Sequence, residues 1–175
     1  GRTLPIMESK ILSADGADIP GEICVRGENV MAGYYKNPDA TEAVLDPDGW
    51  LHTGDMGTRS DDGTIFIKGR YKTMILSANG QNIYPEEIEA KLNNMPYVAE
   101  SLVVERNGRL VALVYPDYEA MDADNVSNGQ LPELMEHVRA DLNRLVAPYE
   151  RIERIQLIAN EFEKTPKRSI KRYLY

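Results

Sequence analysis

The spacing of apolar and polar positions changes character about a third of the way along this chain. Met7 to Leu12 and Gly21 to Arg26 are short runs that predict strands, separated by the polar connection Ser13-Ala14-Asp15-Gly16-Ala17-Asp18. Asp61-Asp62-Gly63 lies between Met56 to Ser60 and Thr64 to Lys68 and predicts a hairpin, because Asp-Gly supplies the positive φ that such a turn requires. After Gly69 the pattern becomes that of a small α/β unit. Thr73 to Leu76 and Gln81 to Ile83 pair across Ser77-Ala78-Asn79-Gly80. A helix then starts at Pro85, whose fixed φ suits the first helical position, with Glu86 and Glu87 at the positive end of its dipole and Ile88 and Leu92 as its apolar stripe.

Val98 to Glu105 and Arg109 to Tyr115 predict a second hairpin, with Asn107-Gly108 as a type I′ turn. Leu131, Leu134, Met135, Val138, Leu142, Leu145 and Val146 recur at three- and four-residue steps, which predicts a helix that Pro148 closes. Ile152 to Ile158 is the last strand, and residues 160–175 carry no periodic pattern. The predicted fold class is therefore α+β. A small β-rich subdomain, residues 1–69, precedes a compact α/β domain, residues 70–175, whose sheet is covered by two helices.

Composition narrows the setting. An apolar fraction of 42% in 175 residues is enough for a core, and Cys24, the one cysteine, fits a small buried strand position and excludes an intramolecular disulfide. With no apolar run approaching a membrane span, a cytoplasmic setting is expected. The net charge of −8 argues against a general nucleic-acid binder, yet residues 160–175 hold five Lys/Arg against Glu161 and Glu163, leaving +3 there and −11 elsewhere. On composition alone that segment is equally a solvated tail. His52 and His137 are far apart and have no Cys or His at ligand spacing, so no protein-bound metal is expected.

Three polar and glycine-rich segments carry the candidate chemistry: Trp50-Leu51-His52-Thr53-Gly54-Asp55, Gly69-Arg70-Tyr71-Lys72 with Gly80 beyond it, and Glu163-Lys164-Thr165-Pro166-Lys167-Arg168-Ser169-Ile170-Lys171-Arg172. Asp55 follows a Gly that admits a ligand just ahead of a predicted strand, and its two oxygens suit neighbouring hydroxyls such as a ribose diol. Arg70 offers a planar fork of donors to ribose or phosphate oxygens. Tyr34 and Tyr35 read as packing residues.

Taken together, these segments resemble the closing third of an adenylate-forming (AMP-binding) enzyme, with bacterial long-chain fatty acid–CoA ligases as the nearest members. The resemblance implies that the intact enzyme joins a carboxylic acid to ATP, with Mg²⁺ held by ligands upstream of this chain, and then transfers the acyl group to the coenzyme A thiol. By the same resemblance Asp55 and Arg70 bind nucleotide, Lys72 is the hinge about which the C-terminal domain turns, and Gly80 lines the coenzyme A tunnel. The family's adenylation Lys falls at Ser169, which leaves adenylation in question and makes Lys171 the expected substitute.

The resemblance further implies partners in the enzyme's own N-terminal domain, and an isolated piece that does not turn over and could self-associate through surface normally covered. Two other readings stay open. One is a family member impaired in adenylation that binds acyl-adenylate or acyl-CoA, or transfers to a carrier protein; the other is an interaction domain that uses its basic tail.

Overall fold

The structure is a computed structural model that describes residues 1–13, 19–77 and 79–175. Positions 14–18 of the predicted polar connection, and Ala78, lie outside the described residues. The chain divides into two compact units, Gly1–Met74 and Ile75–Tyr175.

The first unit is a four-stranded antiparallel sheet in chain order: β1 (Met7–Leu12), β2 (Gly21–Gly27), β3 (Leu51–Arg59) and β4 (Ile65–Arg70). A short helix, α1 (Pro38–Glu42), interrupts the β2–β3 connection, with the Asn37 side chain accepting from the Ala40 N–H at 3.1 Å as its cap. A 3₁₀ turn over Tyr71–Thr73 follows β4. Cys24 is fully buried, as its strand setting predicts. Tyr34 and Tyr35 are not packing residues, since Tyr35 is 88% exposed and Tyr34 51% exposed. The largest difference from the predicted pattern lies in β3, which begins at Leu51 rather than Met56. Gly54 is left-handed, at φ +71°, a conformation that ordinarily interrupts a strand. Pairing of Cys24 with His52 and of Asp55 with Arg70 nevertheless carries the strand through it, so Asp55 sits within β3 and not ahead of it.

The second unit opens with a two-residue ladder, β5 (Ile75–Leu76) against β6 (Asn82–Ile83), and then α2 (Pro85–Leu92). Helix α2 starts on Pro85 with Glu86 and Glu87 in its first turn and buries Ile88 and Leu92 completely. Strands β7 (Val98–Arg106) and β8 (Arg109–Pro116) form the predicted hairpin, in which Asn107 and Gly108 both have positive φ, +55° and +76°, as a type I′ turn demands. Helices α3 (Tyr118–Ala123) and α4 (Leu131–Leu145) carry the chain over to β9 (Ile152–Leu157), which pairs parallel with β8. Six-residue α3 has too little periodicity to be foreseen. Leu145, placed on the apolar face by spacing, is 63% exposed as the last residue of α4.

Strand β8 sits between β7 and β9, and both its faces are buried. Leu110, Ala112 and Val114 join one core cluster with residues of α2 and α4, while Val111 and Leu113 join another with Leu102 and Phe162. The continuous apolar run over 110–114 is the sequence mark of a strand covered on both sides. The second cover is the basic C-terminal segment, which is therefore no solvated tail. Phe162 is 3% exposed, its ring meets Tyr175 edge to face at 5.1 Å, and Ile170 packs against the same cluster. An antiparallel bridge between Lys164 and Ile170 folds the segment into a small hairpin.

A charged clamp fixes that hairpin. Arg172 Nη1 donates to both oxygens of Glu89 on α2, at 2.7 and 2.9 Å, and its Nη2 donates to the Val103 carbonyl of β7 at 2.9 Å. The Val103 N–H donates back to Glu89 Oε1 at 2.6 Å. Burial pushes the Glu89 carboxyl above its ordinary range, and the Arg172 charge opposes that push. With an upward shift, Glu89 favours the folded state most when protonated, below its unfolded value of 4.5, and this contribution declines as pH rises through the shifted value. Removing Arg172 leaves an ionised carboxylate buried without its partner. Arg172→Ala is expected to cost about 3 kcal/mol in denaturant unfolding near neutral pH. The loss should shrink on acidification as Glu89 protonates, and the paired change Glu89→Leu with Arg172→Met should recover most of it.

Candidate active site

In the first unit, β3 carries the polar cluster, and its alternation assigns residues to faces. Glu22, His52, Gly54, Arg70, Tyr71 and Lys72 help line an open cavity of about 930 Å³. Asp55 lines a separate depression beside Ile23, Val25 and Ile65.

Asp55 and Arg70 are directly opposite in the β3–β4 ladder, and Arg70 Nε meets Asp55 Oδ1 at 2.9 Å. Arg70 Nη1 also donates to the Thr53 carbonyl at 3.3 Å. The two residues that the sequence assigns to nucleotide binding are thus brought together as an ion pair. A hydroxyl pair would be accepted at Asp55 Oδ2 and at an Oδ1 shared with Arg70. Lys72 follows in the exposed 3₁₀ turn, two residues beyond Arg70.

Sequence reasoning missed Glu22. Its Oε1 accepts the Gly54 N–H at 3.0 Å and its Oε2 lies 2.8 Å from His52 Nδ1, so Nδ1 carries the hydrogen. Thr53 Oγ1 donates to the Ile23 carbonyl at 2.7 Å and accepts from the Asp55 N–H at 3.1 Å. One carboxylate and one hydroxyl therefore bracket the backbone on either side of Gly54. The available signal was the placement of Gly21-Glu22 at the start of a strand, which becomes informative only once the register puts it beside β3. Cys24 Sγ is 3.6 Å from His52 Nδ1, which groups Glu22, Cys24 and His52 as three potential metal donors. Burial, with the Glu22 carboxylate nearby, pushes the Cys24 thiol up, away from the thiolate that a metal requires.

The remaining assigned residues belong to the second unit. Gly80 has φ +75° at the tip of the β5–β6 hairpin, and a Cβ there would meet nothing within 4 Å. In this conformation its left-handed backbone, not a steric limit, calls for glycine. Lys171 Nζ is engaged with Glu163 at 3.1 Å, and that bond raises the lysine above its ordinary value. Lys164 is likewise held by Glu100 at 2.5 Å. Ser169 lies exposed at the end of the hairpin turn.

The chain belongs to the family of AMP-binding enzyme C-terminal domains, whose pattern it matches over residues 72–174. It is 40% identical over 152 residues to a 3-[(3aS,4S,7aS)-7a-methyl-1,5-dioxo-octahydro-1H-inden-4-yl]propanoyl:CoA ligase of Rhodococcus jostii (strain RHA1), covering 79% of this chain and 28% of that protein. To 4-coumarate-CoA ligase 2 of Narcissus pseudonarcissus it is 36% identical over 160 residues, covering 89% of this chain and 26% of that one. Among solved structures it is similar to O-succinylbenzoate coenzyme A synthetase from Bacillus subtilis in complex with AMP, with a TM-score of 0.77 and 28% identity over 99% of this chain and 34% of the other. The chain thus spans about a quarter to a third of the proteins that it resembles. No helix among the described residues is long and apolar enough to cross a membrane.

Gly54 offers a direct check on the bracket. Alanine at φ +71° is strained although its Cβ would meet only Arg70 Nη1, at 3.8 Å. Gly54→Ala is expected to cost about 1 kcal/mol of thermal stability.

Proposed function

We propose that this chain is the C-terminal part of an ATP-dependent acid–CoA ligase. The enzyme activates a carboxylic acid as acyl-adenylate and passes the acyl group to coenzyme A. The observation that carries this reading is the Asp55–Arg70 pair on adjacent strands, set beside Gly54 and followed at once by the Lys72 turn. Asp55 accepts from ribose hydroxyls, and Arg70 holds that carboxylate in place while offering its remaining donors to nucleotide oxygens. Similarity to several acid–CoA ligases supports the same reaction.

Lys72 acts as hinge, because an exposed lysine in a short 3₁₀ turn tolerates a change of φ/ψ without breaking a core contact. Gly80 serves the thiol step, where a residue without Cβ leaves room for a pantetheine arm. Mg²⁺ accompanies ATP and is held by residues upstream of this chain. The residues up to Gly69 belong with that large domain, and this chain on its own does not turn over. The acid is a long-chain fatty acid, a choice that rests on the likeness of the sequence ending, Phe162 to Tyr175, to such ligases. The relatives' names span quite different acids, among them indoleacetate in Aromatoleum aromaticum (strain DSM 19018 / LMG 30748 / EbN1). The fatty acid assignment is therefore the part of the reading to test first.

A second reading is favoured by Ser169. A neutral hydroxyl where a cation is expected fits a protein that handles acyl-adenylate or acyl-CoA without making the adenylate.

The deciding experiment measures ATP–pyrophosphate exchange and acyl-CoA formation by the full-length protein over fatty acids of several lengths, 4-coumarate and indoleacetate. Both activities with a long-chain fatty acid are expected. Exchange with an aromatic acid alone would replace the substrate, and thioester formation from supplied acyl-adenylate without exchange would favour the second reading. Asp55→Ala should weaken ATP use by roughly 10-fold or more, since a hydrogen bond to a charged group contributes about 1.5–3 kcal/mol.

A further inference from the structure

Among the described residues, three hairpins close with the same pair of backbone hydrogen bonds. In each, the fourth residue donates its N–H to the first residue's carbonyl, and the first donates its own to the carbonyl of the fifth. Gly63 donates to Ser60 and Ser60 to Thr64, both at 2.9 Å. Gly80 donates to Ser77 and Ser77 to Gln81, both at 2.9 Å. Arg168 donates to Thr165 and Thr165 to Ser169, both at 2.8 Å. The fourth residue is left-handed every time, with φ of +82°, +75° and +62°. This is the turn with a trailing αL residue that selects glycine. The chain uses glycine twice and arginine once.

Arginine at such a position is strained by its Cβ and lacks the short polar side chain with which Asn or Asp offsets that strain. Pro166, second in the turn, already favours the bend, so the turn does not depend on Arg168. Backbone strain of this kind persists where the surrounding structure holds it in place, and it clusters at functional sites, although Lys36 and Tyr97 share the left-handed conformation here.

The purpose is suggested by the charges around it. Among the described residues, three of the tail's five cations are occupied: Lys164 by Glu100 and Glu161, Lys171 by Glu163, and Arg172 by Glu89 and the Val103 carbonyl. Arg168 and its neighbour Lys167 are exposed and have no ion-pair partner among the described residues. The uncommitted positive charge of the tail is thus gathered at the hairpin tip, immediately before neutral Ser169.

We infer that Arg168 is a catalytic residue of adenylation, with Lys167 adding to the local field, and that it supplies the charge missing at Ser169. This rests on the ligase reading above. In the step concerned, a carboxylate oxygen of the acid forms a bond to the α-phosphorus of ATP. The bond from that phosphorus to the α–β bridging oxygen breaks, and pyrophosphate leaves with the electron pair. No proton passes through Arg168; its guanidinium donates hydrogen bonds to the anionic oxygens of the acid and the α-phosphate. Lys171 is engaged with Glu163, so Arg168 is the freer of the two candidates.

The test compares two half-reactions of the full-length enzyme with the acid that it uses best: ATP–pyrophosphate exchange, and thioester formation from pre-made acyl-adenylate and coenzyme A. Arg168→Gly places at the tip the residue that the turn prefers, so the thermal midpoint should hold or rise. Exchange should fall roughly 10²- to 10³-fold, while thioester formation stays within about twofold. Adding Ser169→Lys to Arg168→Gly should restore exchange by returning the charge one residue further on. Exchange at the native rate in both Arg168→Gly and Arg168→Gln overturns the proposal and leaves the ligase reading intact. Equal loss of both half-reactions assigns Arg168 a structural role and overturns it as well. If the native enzyme exchanges with no acid at all, the ligase reading fails, and the role of Arg168 fails with it.

Discussion

Burial of β8 on both faces is the constraint from which the second unit follows. A central strand with apolar residues at consecutive positions needs two covers, and helices α2 and α4 supply only one. The C-terminal segment supplies the other with Phe162 and Ile170, although most of its residues are polar or charged. Two apolar anchors and a charged clamp suffice because the hairpin between them is tied to itself by backbone hydrogen bonds. Glu89 is the residue that makes the two covers one structure. It belongs to α2, accepts from the backbone of β7, and receives Arg172 from the tail.

In the first unit, Glu22 has the corresponding part. A left-handed residue inside a strand loosens the ladder, and Gly54 would be a weak point between His52 and Asp55. The Glu22 carboxylate spans it, taking the Gly54 N–H on one oxygen and His52 on the other. Thr53 anchors the opposite side through the Ile23 carbonyl. Asp55 is therefore presented from a strand whose geometry is set by side chains of β2 and β3, and it is electrostatically matched by Arg70 from β4. Three of the four strands contribute to one carboxylate.

Elements with a local signature were legible in the sequence. The strands β1, β2, β7, β8 and β9 and the helices α2 and α4 announce themselves by period and punctuation, and the Asn107-Gly108 turn by its chemistry alone. What escaped depends on partners distant in the chain. The extension of β3 through Gly54 requires β2 and β4 beside it, and Glu22 gains its role from a residue 32 positions away. The tail offers no period because it is held by isolated anchors, and the commitment of Lys171 to Glu163 appears only when the hairpin is closed. For the candidate site, motif resemblance assigned Asp55 and Arg70 to one ligand. The structure adds that each is already the other's partner, which a linear reading does not show.

The docking of the tail also governs what kind of motion is open to it. Releasing the hairpin would bare Leu102, Val111 and Leu113 to water and strand the Glu89 carboxylate, so it cannot swing as an independent arm. Any displacement that carries its tip must carry α2, the sheet and α4 along, as one lever whose length is set by the unit itself. Slack in the last residues of the chain therefore contributes nothing to the reach of the tip.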